Sequence, residues 1–306
     1  MKKVFAVIII TLGLPLLSQA CDTCGCGTGN QYIGILPDFS KQAFGLRYNY
    51  NSLHSRVYTG GSAYSTTLEK YNTVELWGAW NITHKIGIMG SVPYRFESFD
   101  DQVVTTSKSG VGDIYLLGYY KLLSHSHTIK SGKLLVQNLW FGAGIELPTG
   151  KYDPSDKSIL NDTVNLYQLG SGSTDVPFNV MYNICLPHAG LNVSSIYKIN
   201  TENKHVYEYG NRFTVNAQGY YKFSSKHNVT IMPEIGFRFE NFQRSMDNHD
   251  WVEASGGNLI MGTIGVQASF KTISVGGNFQ TPLQQNVGKG IIKFNNTCMV
   301  QISFSL

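Results

Sequence analysis

Three thiols stand close together near the start of the chain, in Cys21-Asp22-Thr23-Cys24-Gly25-Cys26-Gly27. Thiolate sulfur selects soft ions, so this triad is a candidate ligand set for Cu(I) or Zn. No fourth ligand lies beside it, and an oxidising compartment favours disulfides instead. Cys185, at the end of a predicted strand and on its polar face, is then a candidate partner. Metal site, disulfide and neither all stay open. Cys298 falls on an apolar parity and reads as a small apolar residue.

A second set is charged. Arg47, Glu75, Arg95, Asp113, Glu146, Arg212, Glu234, Arg238 and Glu240 all fall on the polar faces of predicted strands. Opposed charges on facing strands either satisfy one another or form a ring that screens what passes. Tyr115 and Tyr119 share the parity of Asp113, giving an aromatic ladder with a carboxylate at its outer end. Aromatic faces for stacking beside a few polar groups for orientation suit an aromatic solute.

Nucleophilic chemistry finds less support. A serine hydrolase needs a histidine within hydrogen-bond reach of its serine. His54, His84, His125, His127, His188, His205, His227 and His249 all read as loop, turn or strand-end residues. None shares an outward mid-strand face with a serine, and no G-x-S-x-G or H-E-x-x-H occurs. The run Gly144 to Lys151 has the wrong spacing for a phosphate loop. The chain therefore reads as no enzyme.

The elements that must position these residues are strands. Apolar and polar residues alternate along almost the whole chain, the period of a strand with two unlike faces. Ile231, Pro233, Ile235, Phe237 and Phe239 form one face, against Met232, Glu234, Gly236, Arg238 and Glu240. Such strands are predicted at 41-50, 69-81, 84-96, 111-123, 133-147, 174-185, 188-199, 211-222, 227-241, 257-270, 272-281 and 292-306. The connections alternate between short turns and longer loops, the longest being 148-173, which is expected to fold over one mouth. An all-β, transmembrane, antiparallel up-and-down barrel of about twelve strands is the architecture that fits. Hydrocarbon offers no hydrogen-bond partners, so a spanning sheet must close. A soluble sandwich would carry charge on its outward faces, and here those faces are aliphatic and aromatic. Tyr48, Tyr50, Trp80, Tyr94, Phe237, Phe239 and Phe270 are expected as interface girdles.

Composition agrees. Only 14% of residues are charged, with 32 Gly, 18 Tyr and 16 Phe, against about 25% charged in ordinary soluble domains. A formal net charge of +4 is too small and scattered for a nucleic-acid partner. Residues 1-20 carry Lys2, Lys3, an apolar run and Ser18-Gln19-Ala20, the order of a secretory signal cleaved after Ala20. Residues 21-40 then form a Cys/Gly-rich periplasmic or plug segment, and 41-306 the outer-membrane barrel. Lipid is the expected partner, the bacterial outer membrane the expected location, and no cofactor is required beyond the soft metal considered above.

Three segments carry a resemblance. They are Gly110-Val111-Gly112-Asp113-Ile114-Tyr115, Gly142-Ala143-Gly144-Ile145-Glu146-Leu147-Pro148-Thr149-Gly150-Lys151 and Leu169-Gly170-Ser171-Gly172-Ser173-Thr174-Asp175. Together they resemble the outer-membrane proteins named for the meta-cleavage pathway of phenol degradation, most strongly over 110-185. The resemblance implies a monomeric barrel that passes small hydrophobic or aromatic molecules. The cysteine-rich start departs from that pattern. A sealed structural or binding barrel, or a metal-linked role through Cys21, Cys24 and Cys26, is the alternative.

Overall fold

The computed structural model describes residues 42–58, 64–130, 132–156, 165–225 and 229–306. Within them a single antiparallel sheet closes on itself as a barrel of twelve strands. In chain order these are β1 (Ala43–Tyr58), β2 (Tyr64–Asn81) and β3 (Ile86–Asp100). β4 runs as Thr105–Val111 and, after a two-residue break, Ile114–Thr128. β5 (Leu134–Leu147), β6 (Val176–Cys185), β7 (Ala189–Ile199) and β8 (Arg212–Tyr221) follow. β9 (Val229–Phe242), β10 (Gly257–Phe270) and β11 (Ile273–Val287) lead to β12, which runs as Ile292–Phe294 and Thr297–Ser305. Each strand pairs with its sequence neighbour, and β12 closes the circuit on β1 from Ala43↔Ser305 to Tyr50↔Cys298.

Burial follows the alternation read from the sequence. On β9, Met232, Arg238 and Glu240 are buried while Ile231, Ile235 and Phe237 are exposed. The same holds on β1, where Arg47 and Asn49 face inward and Leu46 and Tyr48 outward. Ile235 is 69% exposed and Glu240 2%, an inversion that only an apolar surrounding makes favourable. Of the expected girdle residues, Tyr48, Trp80, Tyr94, Phe237 and Phe270 are exposed on the outer wall, and Tyr50 and Phe239 are partly so.

Several strands run further than expected. β1 and β2 continue as a ladder to Tyr58↔Tyr64, and β3 pairs with the first part of β4 to Asp100↔Thr105. β11 continues past Thr281 through an irregularity opposite Ile260 and Met261, where Pro282 imitates a turn signal. β4 also continues to Thr128, so His125 and His127 are exposed strand residues whose rings lie 5.0 Å apart, and not members of a turn. The expected signal (1–20) and the segment 21–40 lie outside the described residues, as do residues 157–164 of the long loop and His227.

At one end the connections are short turns. At the other, residues 148–156, 165–175, 200–211 and 243–256 fold inward over the mouth. Tyr152, Leu166, Tyr207, Tyr209 and Val252 from these loops pack with Leu53, Tyr71, Phe242, Leu259, Met261, Val287 and Ile292 from the strands. Tyr207–Glu208, Met246–Asp247 and Asp250–Trp251 add a small separate sheet within the loops.

Candidate functional site: the lumen and its outer mouth

The break in β4 at Gly112 and Asp113 organises the mouth. Gly112 N–H still donates to Pro93 O (2.9 Å), but Asp113 turns towards the long loop. Its Oδ1 accepts from Gly150 N–H (2.9 Å), and its Oδ2 accepts from the backbone and hydroxyl of Ser171 (2.6 and 2.8 Å). Thr149 Oγ1 donates to Gly112 O (2.7 Å) and accepts from Ile114 N–H (3.0 Å). The two limbs of the loop cross here with backbones in contact. A Cβ on Gly150 would stand 2.6 Å from Leu169 O and 2.7 Å from Gly170 Cα, so both positions need glycine for close approach. Further along, Gly172 takes a positive φ of 71°. Asp175 forms a bridge with Glu146 at the end of the loop. The three separated segments that carry the resemblance thus meet in one knot.

This corrects the expected role of Asp113. It is not the outer end of the tyrosine ladder, because its carboxylate is committed to the loop. The Tyr115 hydroxyl instead donates to Glu75 Oε1 (3.3 Å).

The remaining charged candidates lie inward or at the mouth, most of them in ion pairs or groups of three. Arg47 Nη1 donates to Glu75 Oε2 (3.1 Å), with Ser91 hydrogen-bonded to the same carboxylate and the Arg47 guanidinium 5.6 Å from the Trp77 ring centre. Arg95 meets Glu97 (3.2 Å) and also donates to Gln168 O and Leu169 O of the loop (2.9 and 3.0 Å). Glu240 is held between Arg212 (2.8 Å) and Arg238 (3.0 Å). Glu146 and Asp175 share Lys198 (2.8 and 3.0 Å). Glu234 is half-buried on β9, opposite Gly265 on β10, where a Cβ would collide with its carboxylate. Charges removed from water are tolerable only when paired in this way.

Glu97, Lys198 and Asp175 were missed as candidates. Parity alone identifies the first two, since Glu97 continues the inward series of Arg95 and Lys198 that of Ser194 and Ile196. Outside the wall, the Lys151 ammonium, 2.7 Å away, and the Ser155 hydroxyl hold the Asp153 carboxyl well below its ordinary range. Burial, with the nearby Glu202 and Asp175, raises that of Glu208 in the loop sheet.

Around the lumen the two sides differ. Strands β2 to β6 contribute a continuous cluster of Trp77, Met89, Tyr115, Leu117, Tyr119, Trp140 and Met181. Strands β8 to β12 contribute amides and hydroxyls, among them Asn216, Gln218, Thr263, Asn278, Gln280 and Gln301. Cys185 sits half-buried at the rim, with Lys222 Nζ 3.3 Å from its sulfur. Cys21, Cys24 and Cys26 lie outside the described residues. Cys298 is exposed on the outer wall, as its parity implied.

The fold has solved counterparts. The COG4313 outer membrane channel from Pseudomonas putida F1 matches with a TM-score of 0.57 and 13% identity, over 87% of this chain and 96% of that one. The chain has the fold of an outer-membrane β-barrel. Other outer-membrane barrels are similar at lower scores. The β domain of the Bordetella autotransporter Brka gives 0.46 at 8% identity, covering 87% and 100% of the two chains. The transport unit of the autotransporter AIDA-I from Escherichia coli gives 0.45 at 10%, covering 91% and 95%. No protein-family model and no protein of curated function matches the barrel by sequence.

Proposed function

We propose that the barrel is a monomeric outer-membrane channel for small hydrophobic or aromatic molecules, with an outer mouth governed by the loops tied at Asp113. The observation that carries this reading is the aromatic and thioether wall. Trp77, Met89, Tyr115, Tyr119, Trp140 and Met181 all face inward and are at most 5% exposed. Ring faces and polarizable sulfur packed together on the inward side form an apolar path that an aromatic solute can follow by stacking when these side chains shift. The ion pairs beside it leave little excess charge to favour ions. The fold shared with the Pseudomonas putida channel and the resemblance to the phenol meta-pathway proteins support the same reading.

A sealed barrel is the second reading, favoured by the packed mouth, where Leu259, Met261 and Val287 are fully buried. Reconstitution of the mature protein in liposomes decides between them. Flux is measured for small aromatic solutes, sugars and ions, with wild type, Asp113→Ala and a form lacking residues 21-40. Aromatic flux that rises in Asp113→Ala is the expected outcome. No flux in any folded form would make the sealed barrel the better account.

A further inference from the structure

On the outer wall, three neighbouring strands change character towards the long-loop end. Cross-strand pairs on the outward face of β12, β1 and β2 form rows about 7 Å apart along each strand. The lower rows are apolar, with Leu46, Tyr48, Val74, Leu76 and Val300 exposed, and hydrocarbon covers such a wall. The last of them joins Cys298, Tyr50 and Asn72, with Phe96 of β3 beside them. Beyond it the same parity carries bases. Lys70 stands one row on, opposite Ser52; Lys293 two rows on, opposite His54; and Arg56 three rows on, opposite Thr66. All three are exposed, and among the described residues none of them enters an ion pair. Between them Asn295 Nδ2 donates to Ser52 Oγ (3.1 Å), and the same amide meets His54 Nδ1. Among the described residues, no other wall strand carries Lys or Arg on its outward face at this end. Asp100 on β3 is the one acid on this stretch of wall, and its carboxylate accepts from Gln102 N–H (2.9 Å).

We infer that the outer ends of β12, β1 and β2 bind the phosphates of an outer-leaflet glycolipid, lipopolysaccharide, whose acyl chains lie on the apolar rows beneath. Continuity selects this occupant. The bases begin one row above the apolar wall, so a single amphipathic molecule meets both surfaces, whereas a soluble anion would use only the upper one. Charge selects it too. The Arg56 guanidinium can meet two phosphate oxygens at once. Lys70 and Lys293 supply point charges on long stems, which lie along the wall while the ammonium reaches the headgroups. No ion pair within the protein has to be broken before these three meet a phosphate. Each basic side chain beside an anionic lipid surface strengthens binding about fivefold. The site lies on the lipid face of the wall, so it is independent of what passes through the lumen.

The test uses the full mature protein in detergent, with three probes: lipopolysaccharide, the same glycolipid stripped of its phosphates, and inorganic phosphate. Binding is measured by thermophoresis for wild type, for Arg56→Gln, and for the triple variant Arg56→Gln with Lys70→Gln and Lys293→Gln. A charge-matched control replaces the exposed Lys85, Lys133 and Lys271 at the short-turn end with glutamine. Heat-dependent gel mobility confirms that each variant is folded. Lipopolysaccharide should bind wild type and the control alike. Arg56→Gln should weaken that binding about fivefold and the triple variant about 100-fold, and phosphate removal should bring wild type down to the level of the triple variant. Millimolar inorganic phosphate should leave the bound glycolipid in place. Equal losses in the triple variant and the control would mean attraction to net charge alone and would overturn the inference. Binding that survives phosphate removal would leave only the acyl-chain surface, and displacement by inorganic phosphate would reassign the bases to a soluble anion; either result would overturn it as well.

Discussion

Replacing Asp113 with alanine should release the long loop without unfolding the barrel. The carboxylate accepts three hydrogen bonds, from Gly150 N–H and from the backbone and hydroxyl of Ser171. Bonds to a charged acceptor contribute about 1.5–3 kcal/mol each when buried. Asp113 is only half-buried, so about 1 kcal/mol each is the better figure, or about 3 kcal/mol in all. Local opening of the loop then becomes easier by roughly 100-fold. Hydrogen exchange on the detergent-solubilised protein reads this directly. Amides from Leu166 to Asp175 and at Gly150 should exchange about 100-fold faster, while amides in β8 to β11 keep their wild-type rates. Asp113→Asn retains one acceptor oxygen and should fall between the two. Unchanged protection of Gly150 and Ser171 in Asp113→Ala would show that the hydrophobic packing of Tyr152 and Leu166 alone holds the loop, and the knot would lose its assigned role.

Gly170→Ala should reproduce that exchange pattern, because its Cβ would lie 2.6 Å from Gly150 Cα and 2.5 Å from the Asp113 carboxylate. Glu75→Ala leaves Arg47 buried without its partner and should cost about 3–5 kcal/mol, seen as a lower temperature for the heat-dependent gel shift. Adding Arg47→Met should recover most of that loss, and failure to recover it would mean that the pair is not the source. For Glu208, a folded-state pKa above the ordinary value means that the folded loop binds the proton more tightly than the unfolded one. Its stabilising effect is present at low pH and is lost as pH rises from the ordinary carboxylate range through the raised value. Protection of the sheet formed by Tyr207–Glu208 and Met246–Asp247 should therefore fall over that interval in wild type, and Glu208→Gln should flatten the dependence.

The wall of the barrel was legible because the membrane demands it. Where the outward face meets hydrocarbon, as at Leu46, Leu76, Ile235 and Val266, apolar residues alternate with inward polar ones and period and parity can be read together. Above the bilayer that demand stops. Thr67 on β2 and Ser55 on β1 face inward and are buried while Arg56 faces outward and is exposed, so the outer parts of β1 and β2 show no apolar stripe and read as loop. A local irregularity hides a strand in another way. Between Lys121 and Leu123 the register shifts, and Leu122 and Leu123 are both exposed, which breaks the alternation near the short-turn end of β4.

The candidate site was only half legible for a related reason. Parity places Arg47, Glu75, Arg238 and Glu240 in the lumen but says nothing about which partner each side chain turns to. Asp113 is the clearest case. Its position on the tyrosine parity suggests a lumen carboxylate, yet the preceding Gly112 breaks the strand and frees the side chain for the loop. Tyr152, Leu166 and Tyr207 give no periodic signal at all, because a loop core depends on contacts between distant segments.

The knot at Asp113 has a consequence for how the mouth can move. Gly112 remains in the wall through its bond to Pro93 O, and Asp113, next to it, holds the loop, while Arg95 on the adjoining strand holds the same loop through Gln168 O and Leu169 O. Asn165 ties that limb to the other limb of its own loop by donating to the Tyr152 hydroxyl (3.0 Å), and to the next loop by accepting at its carbonyl from Tyr209 (3.1 Å). Tyr207 extends the chain to Ser245 (3.0 Å). Displacing any one loop therefore exposes polar groups belonging to the other two, so the three loops should open together and not one at a time. A solute that enters from outside must either release this set as a unit or pass between it and the wall. Partial opening at single loops is the least favourable course, because it incurs the unsatisfied polar groups without clearing the apolar core beneath them.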